Sequence, residues 1–84
     1  MYVYEVEKPK LFTEEGQENF IKVRDRVRSL LAEAGAFMMF SGLKDITGDT
    51  WEMMANIDRL VELNEIKEIT NSGVAGQHRV FVGV

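Results

Sequence analysis

Eighty-four residues, 45% of them hydrophobic, make one globular domain (1–84), too apolar for a disordered tail yet with a core that has little slack. The absence of cysteine and the single histidine, His78, exclude disulfide staples, thiolate metal sites and histidine-rich metal centres, so neither metal nor cofactor is expected. A formal net charge of −4 lowers the expectation of nucleic-acid binding without abolishing it, because that affinity comes largely from Lys and Arg neutralising phosphates. No apolar run is long enough to span a bilayer, and residues 1–10 lack the basic start and apolar stretch of a secretory signal. These features together predict a cytoplasmic protein without a membrane partner.

In chain order, Tyr2, Tyr4 and Val6 alternate with Val3, Glu5 and Glu7, a period of two that predicts a strand over residues 1–8, closed by Pro9. Thr13 is the expected N-cap of a helix in which Glu14, Glu15 and Glu18 place negative charge where the helix dipole favours it. Phe20, Val23, Val27, Leu30, Leu31 and Ala34 form its apolar stripe. Gly16 falls on the same stripe, where it permits close approach of a neighbour, and Gly35 ends the helix in a left-handed cap. Residues 36–40, all apolar, predict a short buried strand, and Ser41 caps a brief helix over 42–46. Thr47, Gly48 and Asp49 make a tight turn.

Asp49, with Glu52 three residues later, resembles a capping box and opens the best-marked helix. Met53, Met54, Ile57, Leu60 and Val61 give it a buried stripe, and it ends near Leu63, where Asn64 can take the left-handed conformation. Residues 66–70 and 79–84 read as two strands of a hairpin, joined by a flexible tip over 71–78 that is rich in turn formers.

Helix, short strand, short helix, turn, longer helix, hairpin: this order resembles the winged helix-turn-helix superfamily over residues 13–84. The most specific stretch is 51–66, where Leu60, Leu63, Asn64 and Ile66 match a leucine-rich helix end, a left-handed residue and the first wing strand. Asn64 stands where glycine is frequent in that superfamily. The resemblance implies an α+β, winged-helix-like fold: three helices, a C-terminal β-hairpin wing and, outside the pattern, an added N-terminal strand. It also implies a recognition helix from Thr50 to Leu63, a wing tip over 71–78, and a DNA-binding transcriptional regulator as the function. The same scaffold serves protein–protein contacts, which keeps an interaction adaptor as the alternative.

On a helical wheel centred on Ile57, the outward residues are Glu52, Ala55, Asn56, Arg59 and, at the edge, Glu62. Asn56 and Arg59 are the right types to read adenine and guanine edges. The ordinary reading is that both are surface residues, with Arg59 paired to Glu62. From Lys44 to Glu62 five acids face two bases, so this surface suits a basic protein partner better than a duplex. The candidate contacts, to DNA or to protein, are Thr50, Trp51, Glu52, Asn56, Arg59, His78 and Arg79.

Lys22, Arg24, Arg26 and Arg28 lie on both flanks of the first helix's stripe, which predicts pairing with acids rather than one anion patch. Trp51 is read equally as a partner anchor or as a packed lid. Met38, Met39, Met53 and Met54 are expected in the core. Asp45 and Asp49 lie near a turn without a His, Cys or activated Ser beside them, so no enzyme is expected. The N-terminal strand, poorly buried if detached, would add to a sheet edge and, in a second copy, make a homodimer.

Overall fold

Residues 1–47, 49–71 and 78–84 are described in a computed structural model with an α+β arrangement: four α-helices, one 3₁₀ turn and a three-stranded antiparallel sheet. Gly48 and residues 72–77 lie outside the described residues, so most of the tip expected over 71–78 does as well.

The N-terminus differs from the expectation. Val3 is extended, but Tyr4–Glu7 form a short helix, α1, and Lys8–Phe12 a 3₁₀ turn. The Val3 carbonyl oxygen accepts from the N–H groups of Val6 and Glu7, at 3.1 and 3.2 Å, closing the first helical turn. Pro9 sits at the start of the 3₁₀ turn, where its missing N–H is no loss, so it continues the segment instead of ending one. Three alternating residues were a thin basis for a strand, and the two tyrosines are placed by their hydroxyls rather than by a sheet. Residues 1–8 therefore supply no strand of the kind on which the expected homodimer pairing rested.

Helix α2 (Glu14–Ala34) forms as expected. Thr13 Oγ1 accepts from Gly16 N at 3.0 Å, and Gly35 closes the helix at φ 75° with its N–H on the Leu31 carbonyl. Gly16 is where the 3₁₀ turn touches α2. A Cβ there would lie 2.0 Å from the Lys10 carbonyl oxygen, a clash that only backbone movement could relieve.

Strand β1 spans Ala36–Met38, two residues shorter than expected, because Met39 already begins helix α3 (Met39–Leu43). Met39 N donates to the Arg79 carbonyl at 2.9 Å as the last rung, and Met39 and Leu43, one turn apart, are then both buried. Ser41 therefore lies inside the helix and donates its hydroxyl to the Met38 carbonyl instead of capping residues 42–46.

Helix α4 (Thr50–Glu62) starts on Asp49, whose Oδ1 accepts from Trp51 N and Glu52 N. The reciprocal half of the capping box is absent, since the Glu52 carboxylate takes Asn19 Nδ2 and Thr47 Oγ1. At the other end Asn64 adopts φ 60°, with Asn64 N on the Val61 carbonyl and Glu65 N on that of Leu60. Those two bonds are a Schellman motif.

Strands β2 (Ile66–Glu68) and β3 (Val80–Gly83) pair antiparallel, and β1 joins on the far side of β3, giving the order β1-β3-β2. Phe37 of β1 faces Phe81 of β3, their rings stacked at 5.5 Å. One core fills the space between sheet and helices: Val23 and Val27 from α2, Met39 and Leu43 from α3, Met53, Ile57 and Leu60 from α4, with Phe37, Ile66 and Phe81 from the strands. Met39 and Met53 are buried in it and Met54 packs against it. Among the described residues, no helix is long and apolar enough to cross a membrane.

Candidate interaction surface

Helix α4 is covered on two sides. Its stripe Met53, Ile57 and Leu60 faces the core, while residues 1–12 fold back over the side expected to face solvent. Tyr2 donates its hydroxyl to Asp58 Oδ2 at 2.7 Å, and Tyr4 donates to Glu62 Oε1 at 3.1 Å. Lys8 Nζ reaches Glu62 Oε2 at 3.0 Å. Asp58 and Glu62 are four residues apart on one face of the helix, which is the spacing that lets them receive the two phenols together. Trp51, about two turns before Asp58, meets the Tyr2 ring edge-on at 6.4 Å.

These contacts set the electrostatics of the seam. Burial, then the Asp58 carboxylate, pushes the Tyr2 phenol well above its ordinary range. Burial, then Glu62, pushes the Tyr4 phenol up to about 12. Hydrogen bonds from Lys8 and Arg59 hold the Glu62 carboxyl below its ordinary value.

Asn56 is the largest departure from the helical wheel. It is 0% exposed, and Ala55 beside it is buried as well, so neither belongs to an outward face. Asn56 Nδ2 donates to the Glu52 carbonyl at 2.8 Å, while its Oδ1 has no hydrogen-bond partner among the described residues. The wheel described α4 alone, and the 3₁₀ turn and α1 cover the side it left open.

The other candidate contacts are distributed as follows. Arg59 pairs with Glu62, the ordinary expectation, and its guanidinium lies 5.4 Å from the Phe12 ring centroid. Arg79 is not at a free wing edge: Nη2 bonds Asp58 Oδ1 at 2.8 Å and Glu68 Oε1 at 3.0 Å, and Nε bonds Glu68 Oε2 at 3.1 Å. Burial opposes its charge, but the Glu68 and Asp58 carboxylates outweigh burial and hold the guanidinium above its ordinary value. Thr50 is half-buried, and Glu52 is tied to α2 through Asn19. Trp51, 43% exposed, and His78 remain open to solvent. The structure thus brings Trp51 and Arg79 together through Tyr2 and Asp58, places Arg59 in a neighbouring set with Glu62, Tyr4 and Lys8, and leaves His78 apart.

The three arginines of α2 pair with acids, as their split flanks suggested, whereas Lys22 has no ion pair among the described residues. Arg24 takes Asp25, Arg28 takes Glu65, and Arg26 forks onto both Asp45 oxygens at 2.8 Å. Among the described residues no group of three or more acid, His or Cys side chains is placed to hold a metal ion.

One surface was missed in the sequence. Phe12 (51% exposed), Ile21 (47%) and Leu63 (44%) converge from the 3₁₀ turn, α2 and the end of α4. With Leu11, Phe20, Gln17 and Arg59 they line a groove of about 330 Å³. The legible signal was Ile21, an apolar residue standing outside the stripe of its own helix. No family model, curated protein or solved structure matches the chain.

Proposed function

We propose that this chain is a non-enzymatic binding domain of winged-helix type that recognises a protein partner rather than duplex DNA. The winged-helix reading is supported by the order α2, β1, α3, α4, β2, β3, with the strand after the first long helix pairing beside the last strand of the hairpin. In that architecture α4 occupies the place of the recognition helix.

The occupied outer side of α4 carries the choice of partner. Tyr2, Tyr4 and Lys8 already engage the Asp58 and Glu62 carboxylates there, and Asn56 lies beneath the surface. Each of the five arginines holds a carboxylate, so binding phosphate would first break an ion pair. Association with DNA gains by releasing counterions from phosphates; here the competing anions are covalently part of the domain.

Titration of a labelled duplex at low salt tests this reading. Absence of binding there is the expected result. Binding that weakens steeply as salt rises would overturn it in favour of the DNA-binding regulator.

A further inference from the structure

We infer that the groove between Phe12, Ile21 and Leu63 is a docking site for a basic amphipathic helix of another protein, an inference that rests on the protein-partner reading. Three large apolar side chains, each close to half exposed, meet there from three different elements. None of them belongs to the core cluster, so their convergence does not serve the fold's own interior. Large apolar side chains exposed together rather than singly are the kind of surface on which interaction sites are built.

The groove's size and lining favour a peptide over a small molecule. Its volume, about 330 Å³, is at the low end of small-molecule sites, which run to roughly 300–1,000 Å³ and present convergent polar groups. Here the polar lining is Gln17 and an arginine already engaged by Glu62. Large apolar side chains spaced along one face of a helix fit such a slot.

Charge decides the flanks of that helix. On α2, Glu14 and Glu18 are exposed at helical offsets of seven and three residues before Ile21. Arg24, Asp25 and Arg28, at three, four and seven residues after it, are taken up in the pairs Arg24–Asp25 and Arg28–Glu65, whereas Glu14 and Glu18 have no ion pair among the described residues. On the opposite wall Glu62 neutralises Arg59. An acidic rim beside an apolar slot is complementary to Lys and Arg flanking an apolar face. A second copy of this chain, also at −4 and with the same rim, is repelled.

The test uses the full chain, labelled for backbone amide NMR, and two short synthetic amphipathic peptides, one of Leu and Lys and its counterpart of Leu and Glu. The Leu/Lys peptide is expected to shift amides around Phe12, Ile21 and Leu63 and to bind at least about tenfold more tightly than the Leu/Glu peptide. Ile21→Ser, a change at an exposed position, weakens the Leu/Lys peptide about tenfold with the amide spectrum otherwise retained. The double variant Glu14→Gln/Glu18→Gln narrows the difference between the peptides. Equal binding of both peptides, shifts centred elsewhere or no shifts at all would overturn the proposal. So would concentration-dependent shifts of the same amides without peptide, which would make the occupant a second copy. The duplex titration separates the two failures: a silent duplex with a silent peptide removes only the groove, whereas duplex binding removes the reading beneath it.

Discussion

Asn56 is buried with one side of its amide spent on the Glu52 carbonyl and the other unpartnered among the described residues. The Glu52 carbonyl lies within the helix, so the side-chain bond adds little to a group that already has a backbone role. Asn56→Ala is therefore expected to cost no more than about 1 kcal/mol, since it removes a buried polar atom together with its packing. Leu60→Ala, equally buried on the same helix, is expected to cost about 2–5 kcal/mol. Urea unfolding of the two variants compares them directly, and equal losses would mean that the Asn56 amide contributes as much as a core leucine. Asn56 was misread because a wheel treats α4 alone, whereas residues 1–12 also pack against that helix. Gly16 was legible because a glycine on a stripe of large apolar residues signals a close approach, here of the Lys10 and Leu11 backbone.

The phenols of Tyr2 and Tyr4 give a second expectation at this scale. Both are raised in the folded protein, so the contribution of the protonated forms is complete below the ordinary value of 10.0. It is lost as pH rises, first through the Tyr4 value of about 12. Glu62 is lowered, so its contribution is present above its ordinary 4.5 and is lost as pH falls through the depressed value. Residues 1–12 should accordingly stay docked from above 4.5 to about 10. Tyrosinate absorbance checks the alkaline limb: ionisation should be delayed relative to the chain in urea, and identical titrations would disprove the seam.

At the scale of elements, the ends of α4 were the most legible part of the chain, because capping is chemistry between near neighbours. Asp49 carries two backbone N–H groups, so Asp49→Ala is expected to cost about 1 kcal/mol. Asn64→Gly should be neutral or slightly stabilising, because φ 60° suits glycine without a Cβ. Thermal unfolding of the pair checks both signs; an undiminished midpoint in Asp49→Ala would mean the helix start is held by packing alone. Boundaries set by distant partners were less legible. Whether residue 39 extends β1 or opens α3 depends on the Arg79 carbonyl, and nothing within residues 36–43 encodes that partner. The same holds for α1, whose tyrosines mimic strand alternation while their hydroxyls answer to Asp58 and Glu62.

For the molecule as a whole, Arg79 is the tie between layers. It precedes β3, reaches α4 through Asp58 and β2 through Glu68, and lies 5.1 Å from the Phe81 ring centroid. Arg79→Met would leave two partly buried carboxylates facing each other without a cation. The expected loss is about 1–3 kcal/mol near neutral pH, less than for a fully buried pair because both acids retain some solvent. Arg79 lowers Glu68 in the folded protein, so that part of the wild-type advantage is present above the ordinary carboxyl value and disappears as pH falls. Urea unfolding across pH should show the gap between wild type and variant closing in acid; a gap independent of pH would assign the loss to packing.

The sheet order also has a consequence for biosynthesis. Its middle strand, β3, is the last of the three to leave the ribosome, and both neighbours depend on it for their ladders. Until residues 80–83 emerge, Phe37 and Ile66 have no strand between them, and β1 waits more than forty residues for its partner. Translation stalled before that point would present chaperones with a nascent chain whose helices can form but whose interior cannot close.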